Sequence, residues 1–171
     1  EFEFWKFEFV SNFDIRISNF KKVDSLTLQF FIQLALAMFL GAAVGTEREV
    51  HGKAAGMRTY SLVSTGACLF TIISIYGFRE FAAAGFDPSR IASQVVVGIG
   101  FIGAGLIFLR GNEVQGLTTA AGLWISAAIG MGVAVKMYWV SLFVSLLAVF
   151  VLRVLRWLEP YFHGRHHEDE N

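Results

Sequence analysis

Charge is the first thing this chain is short of. It has 14 Lys and Arg against 14 Asp and Glu in 171 residues, a net charge of zero, and no dense basic stripe that could neutralise nucleic-acid phosphates. The single cysteine, Cys68, excludes an intrachain disulfide and reads as a small packing residue inside an apolar run. Also missing are a paired nucleophile and base, zinc-type ligand spacing and a phosphate loop, so the expectation is a protein that is not an enzyme.

What the chain does have is hydrophobic length. Its composition is 55% hydrophobic with a mean hydropathy of +0.56, and uncharged runs extend over Ser25–Thr46, Thr59–Phe78, Ile91–Leu109, Val114–Val135 and Met137–Leu152. Four of these approach the ~20 residues a spanning helix needs, and the fifth suffices if Arg153 and Arg156 snorkel to the interface. The fold class expected is therefore all-α, a polytopic transmembrane helix bundle of about five spans. Residues 25–158 form the membrane domain, 1–24 an aromatic-rich segment lying at the interface or forming a short strand, and 159–171 a polar tail. Tyr138 and Trp139 at one end of the last run, with Trp157 at the other, mark aromatic belts about 27 Å apart along a helix. Leu, Val and Phe fill that run, which places it on the lipid-facing periphery.

Ser93–Arg110 carries Gly98, Gly100, Gly103 and Gly105. Each glycine would cost a soluble helix roughly 1 kcal/mol, but in lipid small residues let helices approach closely. This stretch is expected to be the central, glycine-rich helix. Gly98, Gly100 and Gly103 also satisfy a dinucleotide-binding pattern, but the flanks are apolar, with no acidic residue near Leu123 to meet a ribose. Gly41 and Gly45 form a second close-contact pattern, which also fits a homo-oligomer.

The polar candidates lie at the ends of the spans. Glu47, Arg48, Glu49 and Arg58 flank the short loop between the first two runs, where the arginines either lock the helices together or leave Glu47 and Glu49 to bind a cation through oxygen, as Mg2+ prefers. Gln94, Thr118 and Thr119 are a second group, either hydrogen-bonding across helices or lining one polar cleft with the charged loop. Gln29 and Gln33 share a face of the first span. His163, His166 and His167 in the tail read as solvated.

Four segments then carry a resemblance: Gly41–Glu49, Gly56–Thr59, Gln94–Gly105 and Gly116–Trp124, in this order and spacing, resemble the MgtC/SapB family of bacterial inner-membrane proteins over about Leu26–Leu158. The resemblance implies a multi-pass protein with the N-terminus outside and the first charged loop and C-terminus cytoplasmic, breaking the tie of seven Lys and Arg on each side. It implies adaptation to low magnesium or acid stress and a link to virulence. The action it implies is non-enzymatic regulation through membrane partners such as the ATP synthase or a sensor kinase, the alternative being a magnesium or cation transporter or channel. Long members carry an ACT-type C-terminal domain, whereas only Pro160–Asn171 follows Glu159, so a short form is expected. Gln94 stands where the virulence members carry asparagine.

Overall fold

The computed structural model describes residues 24–78 and 87–163, with side chains as far as Trp157. The segment 1–23 and the tail from residue 164 lie outside the described residues, and with them the expectations of an interfacial segment and a solvated histidine cluster. The chain divides into the units 1–32 and 33–171. Within the first, Asp24 precedes the opening turns of a helix and its carbonyl accepts from the Leu28 amide at 3.0 Å.

The described residues form helices α1 (Ser25–Val50), α2 (Met57–Ile72, prolonged by a π-helical turn, Ile73–Gly77), α3 (Arg90–Ala104), α4 (Leu117–Ala134) and α5 (Tyr138–His163). A two-stranded hairpin, β1 (Phe108–Arg110) and β2 (Glu113–Gln115), joins α3 to α4. This is an all-α bundle. Among the described residues, four helices are long and apolar enough to cross a membrane: α1, α2 with its π turn, α4 and α5 as far as Trp157. Large apolar side chains such as Phe39, Leu62, Phe70, Phe101, Phe143 and Phe150 point outward, while serines, glycines and alanines lie inside. That inversion is what lipid as solvent asks for, because the outer face has nothing to gain by hiding hydrocarbon.

The expectation that the third run is one continuous span is corrected at its second half. Helix α3 stops at Ala104, and Phe108–Arg110 turns extended to pair with Glu113–Gln115. A two-residue turn, Gly111-Asn112, closes the hairpin with Gly111 at φ 63°, the left-handed geometry that matches strand twist. Gly116 returns the chain to helix at φ 92°, where a side chain would strike the Leu106 carbonyl. At 15 residues, α3 is a shorter apolar helix beside its longer neighbours.

The centre is also held by a different helix from the one expected. Helix α4 buries Thr119, Gly122, Leu123, Ser126, Ala127, Ile129, Gly130, Val133 and Ala134, which lie on more than one face, and it packs against α2, α3 and α5. Of α3 only Ile99 and Gly103 are buried. A Cβ on Gly98 or Gly100 would meet open space, and one on Gly103 would make ordinary contact with Ala120 at 3.4 Å. The tight seams lie elsewhere. A Cβ on Gly41 would fall 2.7 Å from Ser64 and the Tyr60 carbonyl, one on Gly45 2.7 Å from the Met57 backbone, and one on Gly130 would strike the backbone at Ser64. Helices α1 and α4 thus approach α2 at backbone distance. Helix α5 lies on the periphery, as its Leu, Val and Phe predict, and buries Ser141 and Ser145, the latter donating to the Leu40 carbonyl at 3.2 Å.

Helix ends in a membrane need partners for their free carbonyls. At the end of α4, Met137 N–H bonds Gly132 O and Lys136 N–H bonds Val133 O, with Lys136 in the left-handed conformation at φ 66°. Gln33 of α1, 1% exposed, donates its amide to both Val133 O and Ala134 O at 2.9 Å. At the start of α3, Asp87 accepts from the Ser89 amide and hydroxyl, which hold its carboxyl below the usual carboxylate range. Ser74 in the π turn donates to the Pro88 carbonyl, tying the end of α2 to the start of α3.

Candidate functional site

The last turn of α1 takes charge into the bundle. Glu47 and Arg48 are 4% and 3% exposed, with Glu47 Oε2 3.4 Å from Arg48 Nη1. His51, one turn on, places Nδ1 2.7 Å from the Glu47 carbonyl oxygen and 3.0 Å from its Oε1. A nitrogen between two oxygens has to carry a proton, so the Nδ1–H tautomer is the one present when the ring is neutral. Neither carboxylate oxygen of Glu47, nor Arg48 Nε, has a hydrogen-bond partner among the described residues. The pair is held by charge, with His51 as its exposed edge.

Glu49 points elsewhere. Its Oε2 accepts from the Met57 amide at 2.8 Å, so it caps the first turn of α2 with an anion where the helix is electropositive. Arg58 is exposed and makes no ion pair among the described residues. The four charged residues grouped in the sequence therefore separate into a buried pair, a helix cap and a free cation.

From α2, the fully buried Tyr60 lies within electrostatic reach of Arg48 and Glu47 and donates its hydroxyl to the Thr119 carbonyl at 3.2 Å. Ser126 of α4 donates in turn to the Tyr60 carbonyl at 2.8 Å. Thr119 thus enters the site through its backbone, while Thr118 beside it is exposed. Gln94 is not part of this cluster. It is exposed on α3 and lines an apolar groove of about 500 Å³ between α2 and α3. Gln94 lies nine residues before Gly103, whose Ala120 contact marks the level of the charged end, a separation of about 13 Å along the helix.

Tyr60, Ser126, His51 and Gln33 complete these networks and were not among the expected site residues. Gln33 had a sequence signal, an amide inside an apolar run. Tyr60 sits only two residues after Arg58, but nothing local says that its ring turns inward. As ligands for Mg2+ the residues are a poor fit, because Glu47 and Glu49 diverge and Glu47 already faces a guanidinium. Magnesium requires several oxygens in near-octahedral order, and among the described residues no group of three His, Cys, Asp or Glu comes together.

A bundle of apolar-faced helices whose buried charge, Glu47 and Arg48, lies at one end defines a polytopic helical membrane protein. The chain belongs to the MgtC family, whose model matches residues 34–161. It is 46% identical over 136 residues to the Escherichia coli K12 protein named "Putative magnesium transporter YhiD", covering 78% of this chain and 63% of that one. It is 45% identical over 106 residues to "Protein MgtC" of Salmonella typhimurium LT2, covering 62% of this chain and 43% of the relative. A Haemophilus influenzae protein is 34% identical over 143 residues, which are 81% of this chain and 60% of that protein. The chain thus spans less than two thirds of the length of these relatives. No solved structure matches it.

Proposed function

We propose that this chain is a non-enzymatic membrane regulator, acting through binding to other membrane proteins in bacterial adaptation to low magnesium or acid stress. In this reading it resides in the inner membrane with the charged end cytoplasmic. The observation that carries the reading is the closure of the helix seams. Gly41, Gly45 and Gly130 bring α1, α2 and α4 together at backbone distance, and the buried carboxylate of Glu47 is compensated by Arg48 of the same chain. A permeation path places its acids where an ion can reach them. The outward faces of α3 and α5, with Val97, Phe101, Phe143 and Leu146 exposed, offer apolar surface for a partner helix.

The second reading, a cation transporter, is favoured by the name of the Escherichia coli relative and by the cluster of Glu47, Arg48 and His51 at one end. Ion flux in liposomes holding the purified protein separates the two, with Glu47→Gln as control. The expected result is no magnesium flux above empty vesicles. Saturable flux abolished by Glu47→Gln would establish the transporter.

A further inference from the structure

The groove between α2 and α3 takes no part in the charged site. Its lining is apolar, with Leu62, Val63, Phe70, Ile99 and Ile102 among its walls, and Gln94 is its single polar side chain. Gly66 and Gly98 form its floor, and a Cβ on either would meet open space. Its volume, about 500 Å³, is that of a small-molecule site rather than a packing defect.

Position along α3 gives the groove a direction. Arg90, Gln94, Gly98 and Ile102 recur every four residues and so share one stripe of the helix. Arg90 opens the helix, with its side chain 81% exposed and Nε 3.9 Å from Asp87. Four residues on, about 6 Å deeper at 1.5 Å per residue, comes the Gln94 amide. It has no hydrogen-bond partner among the described residues. The apolar part from Gln94 to Ile102 continues for about 12 Å, close to the ~15 Å of one leaflet's hydrocarbon. A cation at the surface, an amide donor just beneath it and an apolar channel one leaflet long repeat the order of phosphate, ester carbonyl and acyl chain in a phospholipid.

We propose that this groove is a specific phospholipid site, with one acyl chain lying over Gly66 and Gly98, the Gln94 amide donating to the ester carbonyl, and Arg90 pairing with the phosphate. An amide left facing hydrocarbon is costly, and the ester oxygen is the acceptor a bilayer supplies at that depth. The neighbouring Asp87 carboxylate suits a headgroup that also carries an ammonium.

The test uses the full chain in vesicles of phosphatidylethanolamine and phosphatidylglycerol doped with a phospholipid bearing a photoactivatable group on its acyl chain. Label on residues 62–70 and 91–102 is measured by peptide mass spectrometry relative to label on α5, which reports ordinary boundary lipid. Groove label in excess over α5 is expected, falling about tenfold in Gly98→Leu, which fills the floor at a position with room for the side chain. Gln94→Leu keeps the channel apolar and is expected to lower the ratio several-fold, while Gly100→Leu, outside the groove, leaves it unchanged. Folding of each variant is read from its helical circular dichroism. An unchanged ratio in both Gly98→Leu and Gln94→Leu would reduce the groove to boundary lipid and overturn the proposal. So would a groove shielded from label in a chain that runs as a dimer, which would make a second copy the occupant.

Discussion

The carboxylate of Glu47 and the guanidinium of Arg48 are neighbours in sequence, both inside the bundle, and each is the other's main compensation. Removing one partner of a buried pair exposes the other to the full cost of desolvation, about 3–5 kcal/mol. Arg48→Ala is therefore expected to destabilise the protein by about that much, read from reversible unfolding in detergent micelles. Glu49→Gln, which keeps an acceptor for the Met57 amide and loses only the charge at the α2 start, is expected to cost under ~1 kcal/mol in the same assay. Equal losses in the two variants would refute the division into a buried pair and a helix cap. The clustering of Glu47, Arg48, Glu49 and Arg58 was legible because charge beside a span is conspicuous. Their separation was not, since the direction of each side chain depends on how α1 and α2 close on one another.

At the scale of the helix, glycine has opposite meanings in α3 and α4. In α4, a Cβ on Gly122 would meet the Tyr60 ring and one on Gly130 the backbone at Ser64, so these glycines hold the seam with α2. In α3, Gly98 and Gly100 touch nothing. Gly130→Ala should thus overpack the seam and cost about 1–3 kcal/mol or more. Gly100→Ala should leave stability unchanged or raise it by up to ~1 kcal/mol, since alanine is the better helix former. Thermal unfolding of the two variants side by side measures the contrast, and a loss in Gly100→Ala as large as in Gly130→Ala would mean that another backbone packs against α3 at Gly100. Glycine content marked both helices as suited to close packing. Only the facing surfaces decide which of them is packed, because a glycine is a seam when another backbone lies opposite and a gap when none does.

For the bundle as a whole, the contacts fix which connections share an end. Tyr60 at the start of α2 reaches Thr119 at the start of α4, and Gly103 near the end of α3 meets Ala120. The α1–α2 loop and the β1–β2 hairpin therefore lie at one end. The end of α4 meets Gln33, about four turns along α1 from the charged cluster, so Lys136 lies at the other end. Single cysteines in a Cys68→Ala background test this with a membrane-impermeant thiol reagent. Lys53→Cys and Glu113→Cys are expected to react from the same side of sealed vesicles and Lys136→Cys from the opposite side. Reaction of Lys53→Cys and Glu113→Cys from different sides would show that α3 does not cross from one end of the bundle to the other.

The sequence by itself determined the solvent this protein folds in and the five helices found among the described residues. Runs of about 20 uncharged residues leave the backbone no choice but to satisfy its own hydrogen bonds, and in lipid the local way to do so is the helix. It also determined that the ends carry the polar chemistry, because charge is expelled from the hydrocarbon. Tertiary structure alone decided that α4 rather than α3 sits at the centre, that Tyr60 links the charged end of α1 to α4, and that Gln94 faces a groove instead of the charged loop. In lipid, hydrophobicity does not distinguish inside from outside, so a helix's neighbours are chosen by the fit of small residues and hydrogen bonds between segments far apart in the chain.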